Sequence, residues 1–194
     1  MIKVGLTGGI GSGKTLVSTI FESLGFPVFN ADNASKKILL RKSVKKKIIS
    51  YFGSSILSKE KIDNRKLASF VFDNLESLVF LQSILHPLVK ESYLRWLGGQ
   101  NSNVTIKEAA ILFESGSYKD CDIIITISSY KELRVSRVME RDDVSENDVL
   151  DRMKNQYEDS KREKKSDFII YNNEDKMLLP QVISIYQEIK KTIK

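Results

Sequence analysis

Short runs of β-branched residues alternate with longer stretches whose apolar positions recur at a helical spacing. Residues 2–7 (IKVGLT) read as a first strand, followed by a glycine-rich turn and a helix over 14–24 that Gly25 stops. Residues 27–30, 104–109, 122–128 and 167–172 read as four further strands. Val182, Ile185, Tyr186, Ile189 and Ile193 mark a closing amphipathic helix. Strands alternating with helices predict an α/β fold: a five-stranded parallel sheet flanked by helices. Two segments break the alternation. Over about 34–97 the pattern is helical, with Leu78, Leu81, Leu85 and Leu88 in register, and it is too long for a simple crossover. It predicts a helical insertion, inside which Pro87 should kink or end a helix. Over about 141–165 the chain is highly charged and poor in apolar residues, so it reads as a cover, with Ser145 and Asp148 as a helix-start pair. The core is then 1–33, 98–140 and 166–194.

Composition changes this picture little. The 194 residues, 41% apolar and 29% charged, suit one folded domain and exclude a disordered chain. No apolar stretch approaches the roughly 20 residues that cross a bilayer, and the N-terminus lacks the apolar region of a signal peptide. A single cysteine, Cys121, excludes an internal disulfide framework and points to a reducing cytoplasm. The net charge of +6 sits in helical lysine clusters such as 45–47 and 161–165. Without an aromatic-basic or Cys/His pattern beside them, these read as solvated faces and a field for polyphosphates rather than for nucleic acid.

Residues 8–15, GGIGSGKT, match the spacing G-x-x-x-x-G-K-[ST] between a strand and a helix, the context that gives this pattern meaning. Gly8, Gly9, Gly11 and Gly13 let the backbone curl so that amides, including those of Ser12 and Leu16, face phosphate oxygens. The helix start adds its positive dipole end. Lys14 is placed to neutralise the terminal phosphates of ATP, and the Thr15 hydroxyl to coordinate Mg2+. The loop defines a phosphate site but not a reaction. No N-K-x-D base-reading motif of a GTPase switch is present.

A kinase needs an acceptor-orienting group, an acceptor module and cations over the moving phosphoryl. Asp32 follows the second strand at the sheet's carboxyl edge, and is suited equally to proton acceptance and to helix capping. Glu108, ending the third strand, is a candidate Mg2+ ligand through water, or else a cap or a buried ion-pair partner. Arg141 and Arg152 flank the charged cover and are candidates for stabilising transferred charge. His86, the only histidine, has no second ligand nearby in the pattern and reads as packed.

With these residues in view, the chain resembles the dephospho-CoA kinase family almost end to end. The matching stretches are VGLTGGIGSGKT (4–15), FESLGFPVFNAD (21–32), FGSSIL (52–57), IDNRKLASFVF (62–72), His86-Pro87, EAAILFE (108–114), RDDV (141–144), Gln156 and DFIIYN (167–172). The resemblance implies a P-loop kinase fold with a helical substrate-binding insertion and a lid. It implies transfer of the ATP γ-phosphoryl to the ribose 3′-hydroxyl of dephospho-CoA, giving CoA and ADP in the last step of coenzyme A synthesis. Asp32 falls on the second acid of the family's D-A-D, the presumed base, and Arg141 on its lid arginine. Three positions depart: Asn30 replaces the first acid, Leu16 a frequent threonine, and Asp159 an arginine found in some members, leaving Arg162 as the nearest substitute. The competing readings are another P-loop small-molecule kinase, such as a nucleoside monophosphate kinase, and a nucleotide-dependent regulatory switch. The expected state is a monomer without nucleic-acid or membrane partners.

Overall fold

The computed structural model describes residues 1–72 and 74–193. Asp73 and Lys194, the last of the tail lysines, lie outside the described residues. The chain divides into two compact units, Met1–Asn30 joined by the chain from Gly99 onward, and Ala31–Gly98.

The first unit is built on a parallel sheet of β1 (Ile2–Gly8), β2 (Val28–Asn30), β5 (Val104–Glu108), β6 (Ile123–Ser128) and β7 (Phe168–Tyr171), in the order β2-β5-β1-β6-β7. This is the five-stranded parallel sheet that the alternation predicts. The central strands are buried along most of their length but alternate in character, with Val4, Leu6, Ile106, Ile125 and Ile127 on the apolar side and Thr7, Thr105, Lys107 and Thr126 buried on the other. Val4, Leu6, Ile106, Ile125 and Ile127 are fully buried and pack with Val17 and Phe21 of α1 (Lys14–Ser23) and with Val182, Ile185 and Ile189 of α9 (Leu178–Lys191). Register fixes what meets at the carboxyl edge. Leu6 and Asn30 both pair with Glu108, and Gly8 pairs with Ile127.

The charged stretch read as a cover carries α7 (Glu146–Lys154) and α8 (Asp159–Glu163), following α6 (Lys131–Asp142). Ser145 and Asp148 form the expected reciprocal cap of α7. The stretch is less solvated than its composition suggests. Val149 is buried against Val135 and Val138 of α6, and Arg162 is 1% exposed.

The second unit contains α2 (Ala31–Leu39), α3 (Lys42–Phe52), a two-stranded antiparallel hairpin of β3 (Leu57–Ser58) and β4 (Lys61–Ile62), α4 (Asn64–Phe72) and α5 (Leu75–Gly98). Its core joins Ile38, Val44, Ile48, Ile56, Leu67, Val71 and Leu85, with Leu78, Leu81 and Leu88 packed around it. Of the two expectations for Pro87, a helix end is not met: α5 continues through it for about three turns, to Gly98. A proline removes one ladder bond, and a helix of 24 residues packed along one side retains the rest.

Cys121 shows how closely the sheet unit is packed. A Cβ on Gly5 of β1 would lie 2.7 Å from Leu112 Cδ2 and 3.0 Å from Cys121 Sγ. Burial pushes the Cys121 thiol up to about 11, so at pH 8 almost none is thiolate. Reaction with a disulfide reagent at pH 8 should therefore run at least about tenfold slower in the native protein than in urea; equal rates would contradict the burial.

Candidate active site

The loop at residues 8–15 leaves β1 and enters α1 through backbone that only glycine adopts comfortably. Gly11 and Gly13 have φ of 78° and 96°. Space is equally limiting, since a Cβ on Gly11 would sit 2.4 Å from the Arg134 carbonyl and one on Gly13 2.3 Å from Asn172 Nδ2. No side chain caps the start of α1, so the dipole end faces the loop without a protein acceptor from its cap residue. Lys14 Nζ folds across and donates to the carbonyls of Gly8 at 2.9 Å and Gly9 at 3.1 Å. Its ammonium thus already lies over the loop. Of the remaining predicted loop residues, Ser12 is buried with its hydroxyl unpartnered, while Thr15 and Leu16 are exposed.

The loop is held from outside by two amides. Ile10 N donates to Gln156 Oε1 at 2.8 Å, and Asn172 Nδ2 donates to the Ser12 carbonyl at 2.9 Å. The Asn172 carbonyl in turn accepts from Ser129 and from both terminal nitrogens of Arg137. These anchors come from sequence positions about 150 residues away from the loop, which is why spacing within the loop gives no hint of them.

Glu108 is 4% exposed at the end of β5. Its Oε2 accepts from Ser18 Oγ at 2.8 Å and Asn30 Nδ2 at 2.9 Å, and its Oε1 lies 3.5 Å from Thr15 Oγ1. A hydroxyl and a carboxylate side by side at the mouth of a phosphate loop are hard oxygen donors of the kind that would suit Mg2+. Among the described residues no group of three or more His, Cys, Asp or Glu side chains could hold a metal. Asn30 has a role here that its departure from the family pattern hides: it donates to Glu108 where an acid would repel it.

Arg141 stands at the exposed end of α6, bound through Nε and Nη2 to Asp142 at 2.8 and 3.1 Å. That hydrogen bond holds the Asp142 carboxyl down at about 2, with a further contribution from Arg152 at 2.8 Å. Two other arginines lie beside the loop instead. Arg134 and Arg162 are buried and share the Asp159 carboxylate, at 2.7 and 2.5 Å. Burial lowers the Arg134 guanidinium from its ordinary value, an effect that Asp159 opposes. Arg134 does not stand out by pattern in a stretch where more than half of the residues are charged, and Arg162 does so only as the nearest substitute for a lid arginine. Asp32 belongs to the helical unit, in the first turn of α2. A carboxylate suits that place.

A parallel sheet with a phosphate loop at its carboxyl edge, a lysine over the loop and a hydroxyl beside a buried acid defines a nucleotide-binding protein of the P-loop kinase class. A family model described as dephospho-CoA kinase matches residues 2–177. The chain is 41% identical to a dephospho-CoA kinase of Fusobacterium nucleatum over 88% of this chain and 89% of that one. It is 34% identical to one of Bacteroides fragilis over 97% and 95%. A solved dephospho-CoA kinase from Campylobacter jejuni superimposes with a TM-score of 0.68 at 32% identity, covering 97% of each chain. The chain belongs to the dephospho-CoA kinase family.

Replacing Asn30 by aspartate would set two carboxylates against each other at the observed 2.9 Å. One of them would hold its proton to higher pH in the folded than in the unfolded state. The variant should lose about 1–2 kcal/mol at pH 7 without Mg2+ and recover as the pH falls toward 5. Urea midpoints at the two pH values check this. An equal loss at both would show that the amide's shape, and not its charge, matters.

Proposed function

We propose that the protein transfers the γ-phosphoryl of ATP to the ribose 3′-hydroxyl of dephospho-CoA, releasing CoA and ADP. The observation that carries this reading is the loop at 8–15, with Lys14 across it and Thr15 beside Glu108, in a chain matched to the family over residues 2–177. Lys14 neutralises the β,γ-phosphates, while the amides of Gly8, Gly9, Gly11, Ser12, Gly13, Lys14, Thr15 and Leu16 supply the cradle. Thr15 holds Mg2+ directly and Glu108 through water. Asp32, two residues past the end of β2, takes the proton of the acceptor hydroxyl. Arg141 exchanges Asp142 for phosphoryl oxygens when a nucleotide is bound, stabilising the transferred charge. The reading extends to a cytoplasmic monomer. Its support for compartment is the lone cysteine, and among the described residues no helix is long and apolar enough to cross a membrane.

Incubation with Mg-ATP and dephospho-CoA should yield a product one phosphoryl heavier by mass spectrometry. Turnover of a nucleoside monophosphate instead, or ATP hydrolysis indifferent to dephospho-CoA and stimulated by a macromolecule, would overturn the assignment. For Asp32→Asn the expected loss is roughly 100-fold or more in kcat with little change in ATP affinity; equal changes in both would make Asp32 a positioning group. Lys14→Ala should impair both parameters.

A further inference from the structure

Arg134 is in the first turn of α6 and Arg162 in α8, and both press on the phosphate loop at Gly9. A Cβ on Gly9 would lie 1.6 Å from Arg134 Nη1, 2.8 Å from its Cζ and 2.8 Å from Arg162 Nη2. The two guanidiniums therefore rest on the bare Cα of a loop residue. Asp159 joins them, accepting from Arg134 Nη2 through Oδ2 and from Arg162 Nη2 through Oδ1. That leaves Arg134 Nε and Arg162 Nε and Nη1 buried without any hydrogen-bond partner. Glu132 also acts on Arg134, and Glu114 is the acid next to Arg162. The Glu114 Oε1 stands 3.9 Å from Arg162 Nη1, an ion pair longer than a hydrogen bond, and accepts from the Tyr157 amide, while its Oε2 is also buried without a hydrogen-bond partner.

An ion-pair cluster whose only task was to tie α6 to α8 would complete its hydrogen bonds, because buried charged donors left unmatched are costly. Three unmatched guanidinium nitrogens, on the two side chains whose Arg134 Nη1 and Arg162 Nη2 rest on a loop built to gather phosphate, instead match a multivalent oxyanion. Two buried cations repel each other, so something must hold them together before the ligand arrives. Asp159 does so with one oxygen for each, and its side chain remains 27% exposed on the open side.

We propose that Arg134 and Arg162 form a preset two-guanidinium seat for the nucleotide's phosphate chain, and that Asp159 is the positioning residue that holds the seat on the loop. This rests on the reading of residues 8–15 as the ATP site. Arg141 differs in kind: it is exposed and would have to move, whereas this pair is already in place.

Binding measured calorimetrically on the full chain, with ATP, tripolyphosphate and adenosine as separate probes and no acceptor present, tests the seat. Arg134→Gln and Arg162→Gln should each weaken ATP and tripolyphosphate about tenfold or more and leave adenosine unchanged. Asp159→Asn carries the sharper sign. Removing a negative charge near a phosphate site would by bare electrostatics tighten ATP; loss of positioning predicts weaker binding, with Asp159→Glu restoring most of it. If a Gln variant does not fold, the corresponding Lys variant keeps the charge without the fork and should fall between wild type and that loss. Tighter or unchanged ATP binding in Asp159→Asn, or arginine variants that shift only the melting temperature, would overturn the proposal. Normal variant effects on ATP in a protein that forms no CoA would sink the functional reading alone. Normal CoA formation with ATP affinity unmoved in every variant would sink the seat alone.

Discussion

The hydrogen-bonding of β1 on both sides is the constraint from which the rest of the site follows. Held between β5 and β6 and covered by helices, this strand cannot shift by one residue without turning Val4 and Leu6 out of the core. Its end is therefore fixed, and so is the point where the chain must curl into α1. The same register sets Glu108 beside both Leu6 and Asn30. The acid, its amide partner and the loop are placed by sheet pairing before any polar contact between them is counted.

On that fixed frame the charges are arranged in two ways. Glu108 is held by neutral donors, Ser18 and Asn30, which orient it without cancelling its charge. The buried arginines are held by an acid, which does offset theirs. A polyphosphate with its cation carries charge of both signs, and on the proposed reading these two environments would address the two parts separately. The loop itself relies on backbone, dipole and one lysine, and its anchors, Gln156 and Asn172, are neutral amides that leave the local field to those groups.

Much of this was legible in the chain. The five strands, the helical stretch of 34–97 and the loop are periodic or local signals, and each arises from neighbours in sequence. Glu108 and Thr15 could be proposed because strand ends and loop spacing locate them. The short hairpin of β3 and β4 escaped because two-residue strands have no measurable period. Pro87 does not end its helix because the local loss of one ladder bond is outweighed by packing along the rest of α5. Arg134 was hidden for a different reason: its burial is decided by partners far away in sequence, Gly9 and Asp159, and a charged run read locally looks solvated, while Arg162 came forward only as a substitute lid cation with no sign of its burial. Asn30 looked like a loss relative to the family pattern until its partner, 78 residues on, was visible.

The contact between Gly9 and Arg134 also has an evolutionary side. With 1.6 Å between a would-be Cβ and a guanidinium nitrogen, position 9 cannot drift independently of position 134. A lineage that acquires alanine at position 9 must first shorten or redirect the side chain at 134, and one that keeps the long cation must keep the glycine. Among descendants of this sequence a side chain at position 9 should appear only where the one at 134 has been shortened or moved, whereas position 134 can change with Gly9 retained.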